Sequence, residues 1–287
     1  MPLQQLVNHF NDRFEQEHHA NFRPFIVENG AVQGWFGPIR MGSRFSPVRM
    51  LTNYESITGH LVQLAVAPHA GSLPYDTGFE FTHFLTDSIS QPTDFQSVIN
   101  LDRLCRTVHM LNYLGYAHVN GRLFLDVDPR HILGVDSNHG VYFEEIIVKC
   151  GLATSNVVIS MAVNPFYILH HNQLLAGLNN YRKQGYQIAL NIGRWYSANG
   201  LVDFVTKLAP NFVRIDVPEH NPHALKAEMP WPYALDSLQQ LVTLIGGQSI
   251  LQQVNYQDQA FTASAAGFDW VQGGYYDKLA VDHLRCL

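Results

Sequence analysis

Residues Tyr186–Asp216 read YQIALNIGRWYSANGLVDFVTKLAPNFVRID, and this stretch decides the fold. Gln187–Asn191 is a short apolar run with a polar end. Leu201, Phe204, Val205 and Leu208 recur at helical spacing, and Phe212–Val217 is a second apolar run with Asp216 near its end. Two apolar strands joined by a crossover helix make a βαβ unit, whose strands run parallel.

The alternation continues on both sides. Strands are predicted at Leu123–Val127, Val157–Val163, Ser249–Val254 and Asp269–Gln272, and helices over roughly 140–151, 166–184, 199–208, 232–246 and 257–266. Gly185, Gly247 and Gly267 sit near helix ends, where a left-handed cap favours glycine. Phe95–Tyr116 carries Val98, Leu101, Leu104, Cys105, Val108 and Leu111 on one helical face. Upstream, Phe22–Glu28 and Ala31–Met41 flank Asn29-Gly30, a strong hairpin signal. Six strands plus this hairpin make eight, enough to close an α/β barrel of the (β/α)8 type with an antiparallel opening hairpin. Residues 1–20 are expected as a short polar lead-in helix. Residues 42–94 are expected as the least regular region, with a helix inside Ser46–Val66 and loops around Pro68, Gly71, Pro74, Gly78 and Pro92. The whole of 1–287 is read as one domain.

Composition narrows the function classes. Of 287 residues, 46% are apolar and 15% charged, which suits a large core and argues against disorder. The net charge of −6 gives no global attraction to nucleic acid. Cys105, Cys150 and Cys286 are odd in number and far apart, the pattern of free thiols in a reducing compartment. The N-terminal residues lack an apolar core of signal-peptide length, and no apolar stretch spans a bilayer. A cytoplasmic location is therefore expected. The fifteen histidines are scattered without an HExxH or zinc-finger context.

In such a barrel the strand C-terminal ends converge on one mouth. Those ends offer Asp126 and Asp128, Ser160 and Asn164, Asn191, Arg214 and Asp216, Gln252 and Asn255, and Gln272, with Phe36 expected to join from the hairpin. A divalent-metal site for phosphate esters wants several carboxylates held together, and this mouth is poor in them. Asp126 with Asp216 is the candidate pair for acid–base work. The plainer reading is that both carboxylates serve strand-end backbone groups or solvent.

Seven segments in order resemble the EAL domains, bacterial phosphodiesterases that linearise cyclic di-GMP. FRPFIVENGAVQGWFGPIR looks like the family's opening Q-P-I-V strand turning into G-V-E-A-L-x-R. LFLDVDP resembles I-N-V-S, VVISMAVN resembles L-E-I-T-E, and GYQIALNIGRWYS resembles G-x-x-I-A-L-D-D-F-G-T-G-Y. FVRIDV, ILQQVNY and GFDWVQGGYY resemble L-K-I-D, A-E-G-V-E-T and G-x-x-x-x-Q-G-Y. The match covers roughly 22–41 and 121–279, and 42–94 match poorly.

The resemblance implies a role for each matched position. The signature glutamate, a metal ligand, falls on Phe36, and the asparagine ligand on Asp126. The third-strand glutamate falls on Ser160 and its companion on Val163. The two aspartates of D-D-F-G fall on Asn191 and Ile192. The lysine that contacts the attacking water falls on Arg214, and the glutamates of A-E-G-V-E-T on Gln252 and Asn255. Gln272 and Arg40 keep the family's glutamine and arginine. The departures point one way, since a phenylalanine and neutral amides cannot offset two divalent ions. The resemblance thus implies an inactive EAL-like regulator that needs no Mg²⁺ or Mn²⁺ and acts by binding a protein partner, such as a signalling or transcriptional regulator. A first alternative is an effector that binds cyclic di-GMP without hydrolysing it, through Arg40, Arg44, Arg194, Arg214 and Gln272, with Trp195 or Tyr196 stacking on guanine. A second is a repurposed hydrolase using Asp126, Asp128 and Asp216. Met229–Tyr233 (MPWPY) is a candidate partner-docking patch.

Overall fold

A computed structural model describes residues 2–18, 23–36, 39–68, 95–116, 121–135, 139–193, 200–217 and 231–286. Helix α1 (Leu3–His18) leads into a hairpin of β1 (Phe25–Glu28) and β2 (Ala31–Phe36). Two long strands follow, β3 (Ile39–Met50) and β4 (Asn53–Pro68), and then helix α2 (Phe95–Tyr113). From there strands and helices alternate. The first half holds β5 (Arg122–Val127), α3 (Pro129–Gly134), α4 (Val141–Lys149), β6 (Val157–Ala162), α5 (His171–Lys183) and β7 (Gln187–Gly193). The second holds α6 (Leu201–Leu208), β8 (Phe212–Asp216), α7 (Trp231–Leu244), β9 (Gln248–Gln252), α8 (Gln257–Ala265), β10 (Trp270–Val271) and α9 (Gly274–Cys286).

β4 to β10 are parallel neighbours in chain order. β10 pairs antiparallel with β3, and β3 antiparallel with β4, so eight strands close a barrel. β1 and β2 are appended outside it: β2 pairs with the start of β3 and β1 with β2. The parallel strands bury both faces, one inward and one against the helices, which is why runs such as Val157-Val158-Ile159 are continuously apolar.

Three expectations for the N-terminal third are corrected. Ser46–Val66 is not a helix inside an irregular region; it belongs to β3 and β4, whose pairing runs from Ile39↔Pro68 to Met50↔Asn53. Inward Val48 and Leu61 alternate with outward neighbours at period two, and Ile57, Thr58, Val62 and Val66 are β-branched, so the apolar spacing belongs to strands. Residues 69–94 of that region lie outside the described residues. The hairpin at Asn29-Gly30 forms, with φ of 51° and 78° as a tight turn of this kind requires, but it is not the barrel's opening pair. That pair is β3–β4. Finally, α1 is not a polar lead-in. Leu6, Val7, Phe10 and Phe14 are buried, and Asn11 both donates to the Phe25 carbonyl and accepts from its N–H, at 2.8 and 2.9 Å, closing part of the outer edge of β1.

Each barrel strand gives one residue to an inner apolar layer: Val48, Leu61, Phe124, Val158, Ala189, Phe212, Ile250 and Trp270. The layer fills the barrel as a packed core. Below it the Arg122 guanidinium lies 5.5 and 5.4 Å from the ring centroids of Phe212 and Trp270 and donates to Gln187 at 2.8 Å. Gly59 lets β4 approach β5, since a Cβ there would sit 2.7 Å from the Arg122 carbonyl oxygen.

Candidate functional site

Two residues beyond the apolar layer, the same strands turn polar side chains inward: Asp126 on β5, Ser160 on β6, Asn191 on β7, Arg214 on β8 and Gln252 on β9. The period-two geometry of a strand sets this, because each lies two positions after a member of the apolar layer. Arg214 is the centre. Its Nη1 donates to Asp126 Oδ1 and to Ser160 Oγ, both at 2.6 Å, and its Nε donates to Gln252 Oε1 at 3.1 Å. The Gln252 amide nitrogen donates to Asn191 Oδ1 at 2.9 Å and to Asp216 Oδ1. Asn191 Oδ1 also accepts from the Gly193 N–H at 3.2 Å. The Arg214 side chain is 6% exposed, while Asp126 is 52% exposed and faces the mouth. Five strands are thus tied together by one network.

The other expected site residues lie elsewhere. Phe36 is not at the mouth. It sits on β2, in register with Ile39, which pairs with Pro68. That is five residues past Gln63, the mouth level on β4, on the order of 16 Å at ~3.3 Å per residue. Arg40 is held on the same appended sheet by Glu28 and Gln33. Ile192 and Val163 are buried in the core outside the barrel's inner layer. Gln272 Oε1 accepts from the Gln253 N–H at 3.1 Å, and Asn255 Oδ1 from the Gly274 N–H at 3.0 Å, so both serve backbone. Asp128 caps α3 through the Arg130 N–H and pairs with the Arg130 guanidinium at 2.7 Å. The three-carboxylate constellation of the hydrolase reading therefore does not assemble. Asp126 and Asp216 are linked through Arg214 and Gln252. Arg194, Trp195, Tyr196, and Met229 and Pro230 of the MPWPY patch lie outside the described residues.

The strand beside β5 is β4, and its Leu61 was not singled out in the sequence, where Asn29-Gly30 offered a stronger hairpin signal upstream. Leu61 packs in the apolar layer and brings no ligating atom to the mouth.

The ring does not fit the metal pair that the resemblance implies. Asp126 and Asp216 bring two negative charges and Arg214 cancels one, leaving −1 against the four positive charges of two divalent ions. Among the described residues, no group of three or more His, Cys, Asp or Glu is placed to hold a metal.

A second arginine cluster lies outside the barrel, between α2, α3 and α5. Arg106 pairs with Asp102, donates to the Tyr181 hydroxyl at 3.1 Å, and lies 3.8 Å over the Phe143 ring centroid. Its Nη2 is 3.1 Å from His131 Nε2. Arginine only donates, so Nε2 accepts and the ring proton sits on Nδ1, 3.1 Å from Asp102 Oδ2. Burial, and then the Arg106 charge, push His131 down to about 2 and neighbouring His109 down to about 3.

No family model and no curated protein sequence matches the chain. Solved structures do. The EAL-domain protein YkuI of Bacillus subtilis, in complex with substrate c-di-GMP and calcium, aligns with a TM-score of 0.62 and 18% identity over 82% of this chain and 54% of that one. This chain therefore spans just over half the length of the Bacillus protein. The FimX EAL domain of Pseudomonas aeruginosa, bound to c-di-GMP, aligns with a TM-score of 0.61 and 16% identity over 82% and 88%. The Xanthomonas citri FimX EAL domain, in complex with c-diGMP, gives a TM-score of 0.61 and 12% identity over 94% and 91%. At these identities the likeness concerns architecture, and the architecture of this chain is the EAL-type barrel: parallel strands closed by one antiparallel strand, with its polar mouth built around Arg214.

Proposed function

We propose that this chain is a catalytically inactive EAL-type regulator in cyclic di-GMP-linked signalling, acting in the cytoplasm by binding a protein partner. The observation that carries the reading is the mouth network. Arg214 holds Asp126, the inward carboxylate that a metal would need, and Ser160, Asn191 and Gln252 are neutral. Without closely held carboxylates there is no metal-activated hydroxide to attack a phosphodiester at neutral pH. Among the described residues, no helix is long and apolar enough to cross a membrane.

The second reading is binding of cyclic di-GMP without hydrolysis. It is favoured by the FimX EAL domains, which share the fold and were solved with that nucleotide. Against it, Arg214 is already paired, and Arg40 lies on the appended sheet with its own partners. The net charge of −1 from Asp126, Asp216 and Arg214 offers a doubly charged nucleotide no electrostatic attraction.

Titration calorimetry with cyclic di-GMP, with and without Mg²⁺, tests both, with product analysis on the same samples. No heat and no linear product is the expected result, and pull-downs from the native cell then address the partner. Metal-independent binding without product selects the second reading. Linear product formed with metal overturns both.

A further inference from the structure

We infer that the Arg214 guanidinium is the mouth's own cation: it stands among the oxygens a divalent metal would need, and it excludes one. The inference rests on the non-catalytic reading above and gives its physical cause. Five side-chain oxygens gather within one network. Asp126 Oδ1 and Ser160 Oγ lie 2.6 Å from Nη1, and Gln252 Oε1 lies 3.1 Å from Nε. Asn191 Oδ1 and Asp216 Oδ1 are drawn in by the Gln252 amide nitrogen. Carboxylate, amide and hydroxyl oxygens are the donor class that Mg²⁺, Ca²⁺ and Mn²⁺ take. Here three of them accept from Arg214 N–H groups and the other two from the Gln252 amide. A metal at coordination distance would have to displace an arginine anchored on β8 and buried beneath the rim. Asp126 is the carboxylate both cations would compete for, and the covalently attached one is always present.

The arrangement has a consequence that loss of carboxylates alone does not have. Removing the Arg214 charge while keeping its bulk leaves the Asp126 carboxylate and the Ser160 and Gln252 oxygens without their cation, in one network with Asn191 and Asp216, so Arg214→Met is expected to convert the ring into a divalent-cation site. Mn²⁺ binding is measured by electron paramagnetic resonance and calorimetry on the wild type, on Arg214→Met and on Arg214→Met with Asp126→Asn. Circular dichroism checks folding, and Arg214→Gln replaces the methionine variant if the latter does not fold. The expected result is no saturable Mn²⁺ binding at the mouth of the wild type. Arg214→Met gains a single site roughly tenfold tighter or more, lost again when Asp126 is made neutral. Asp126-dependent Mn²⁺ binding by the wild type overturns the inference, and so does a folded Arg214 variant that gains nothing. Linear product from cyclic di-GMP, measured separately, is what would overturn the non-catalytic reading; Mn²⁺ binding without product would remove only the present inference.

Discussion

Arg106 and Arg214 each organise a polar cluster, and the two are held on different terms. Arg106 and Asp102 are 1% and 9% exposed, wedged between helices with Tyr181, His131 and Phe143 around them. Arg214 is nearly as buried, but its partner Asp126 is half in water. A sealed ion pair depends on each partner, because removing one strands a charge where water cannot reach. A pair open on one side is screened, and the solvent and neighbouring oxygens absorb part of any loss. The outer cluster is therefore read as structural, and the mouth cluster as the one that can change without unfolding the barrel.

The widest gap between the two should appear when each acid is neutralised. Asp102→Asn is expected to cost ~3–5 kcal/mol in urea unfolding, and replacing both partners with Asp102→Leu and Arg106→Met should recover most of that loss. An Asp102→Asn effect no larger than that of Asp126→Asn would dissolve the distinction. Next comes pH. His109 and His131 are held near 3 and 2 in the fold, against 6.5 for a free imidazole. Below pH 6.5 the unfolded chain binds more protons than the folded one, so stability is complete above that pH and falls as pH drops toward 3. Between pH 7 and 5.5 the two histidines together should remove about 2–3 kcal/mol. Urea midpoints at both pH values measure this, and a glutamine at each position should flatten the slope. Asp126→Asn should cost about 1 kcal/mol by the same unfolding assay. Arg40→Ala should move stability by less than ~0.5 kcal/mol, since its pair with Glu28 is a surface one. A large Arg40 effect on nucleotide binding would instead return it to a ligand site and revive the effector reading.

The parallel strands from β5 to β10 and the helices between them were legible because each is a local pattern with its own period. β3 and β4 were not. Strands that mix arginine, serine and other partly exposed polar residues among the apolar ones carry a weak alternation, and Asn29-Gly30 gave a louder hairpin signal well upstream of the β3–β4 turn. That placed the barrel's opening pair on β1 and β2 instead of β3 and β4. The mouth residues Asp126, Ser160, Asn191, Arg214 and Gln252 were all nameable as strand ends, whereas their roles were not. Nothing in the chain announces that Arg214 would be engaged by Asp126, Ser160 and Gln252.

What the sequence by itself determined is the run of alternating elements and the scarcity of carboxylates along their ends, since periodicity and residue type are properties of a short window. What only the tertiary structure decided is which strands close the barrel and which polar groups meet inside it. Arg214 finds its partners 88, 54 and 38 residues away. Such pairings are chosen by the register of a closed sheet, in which one residue of slip would turn every inward side chain outward.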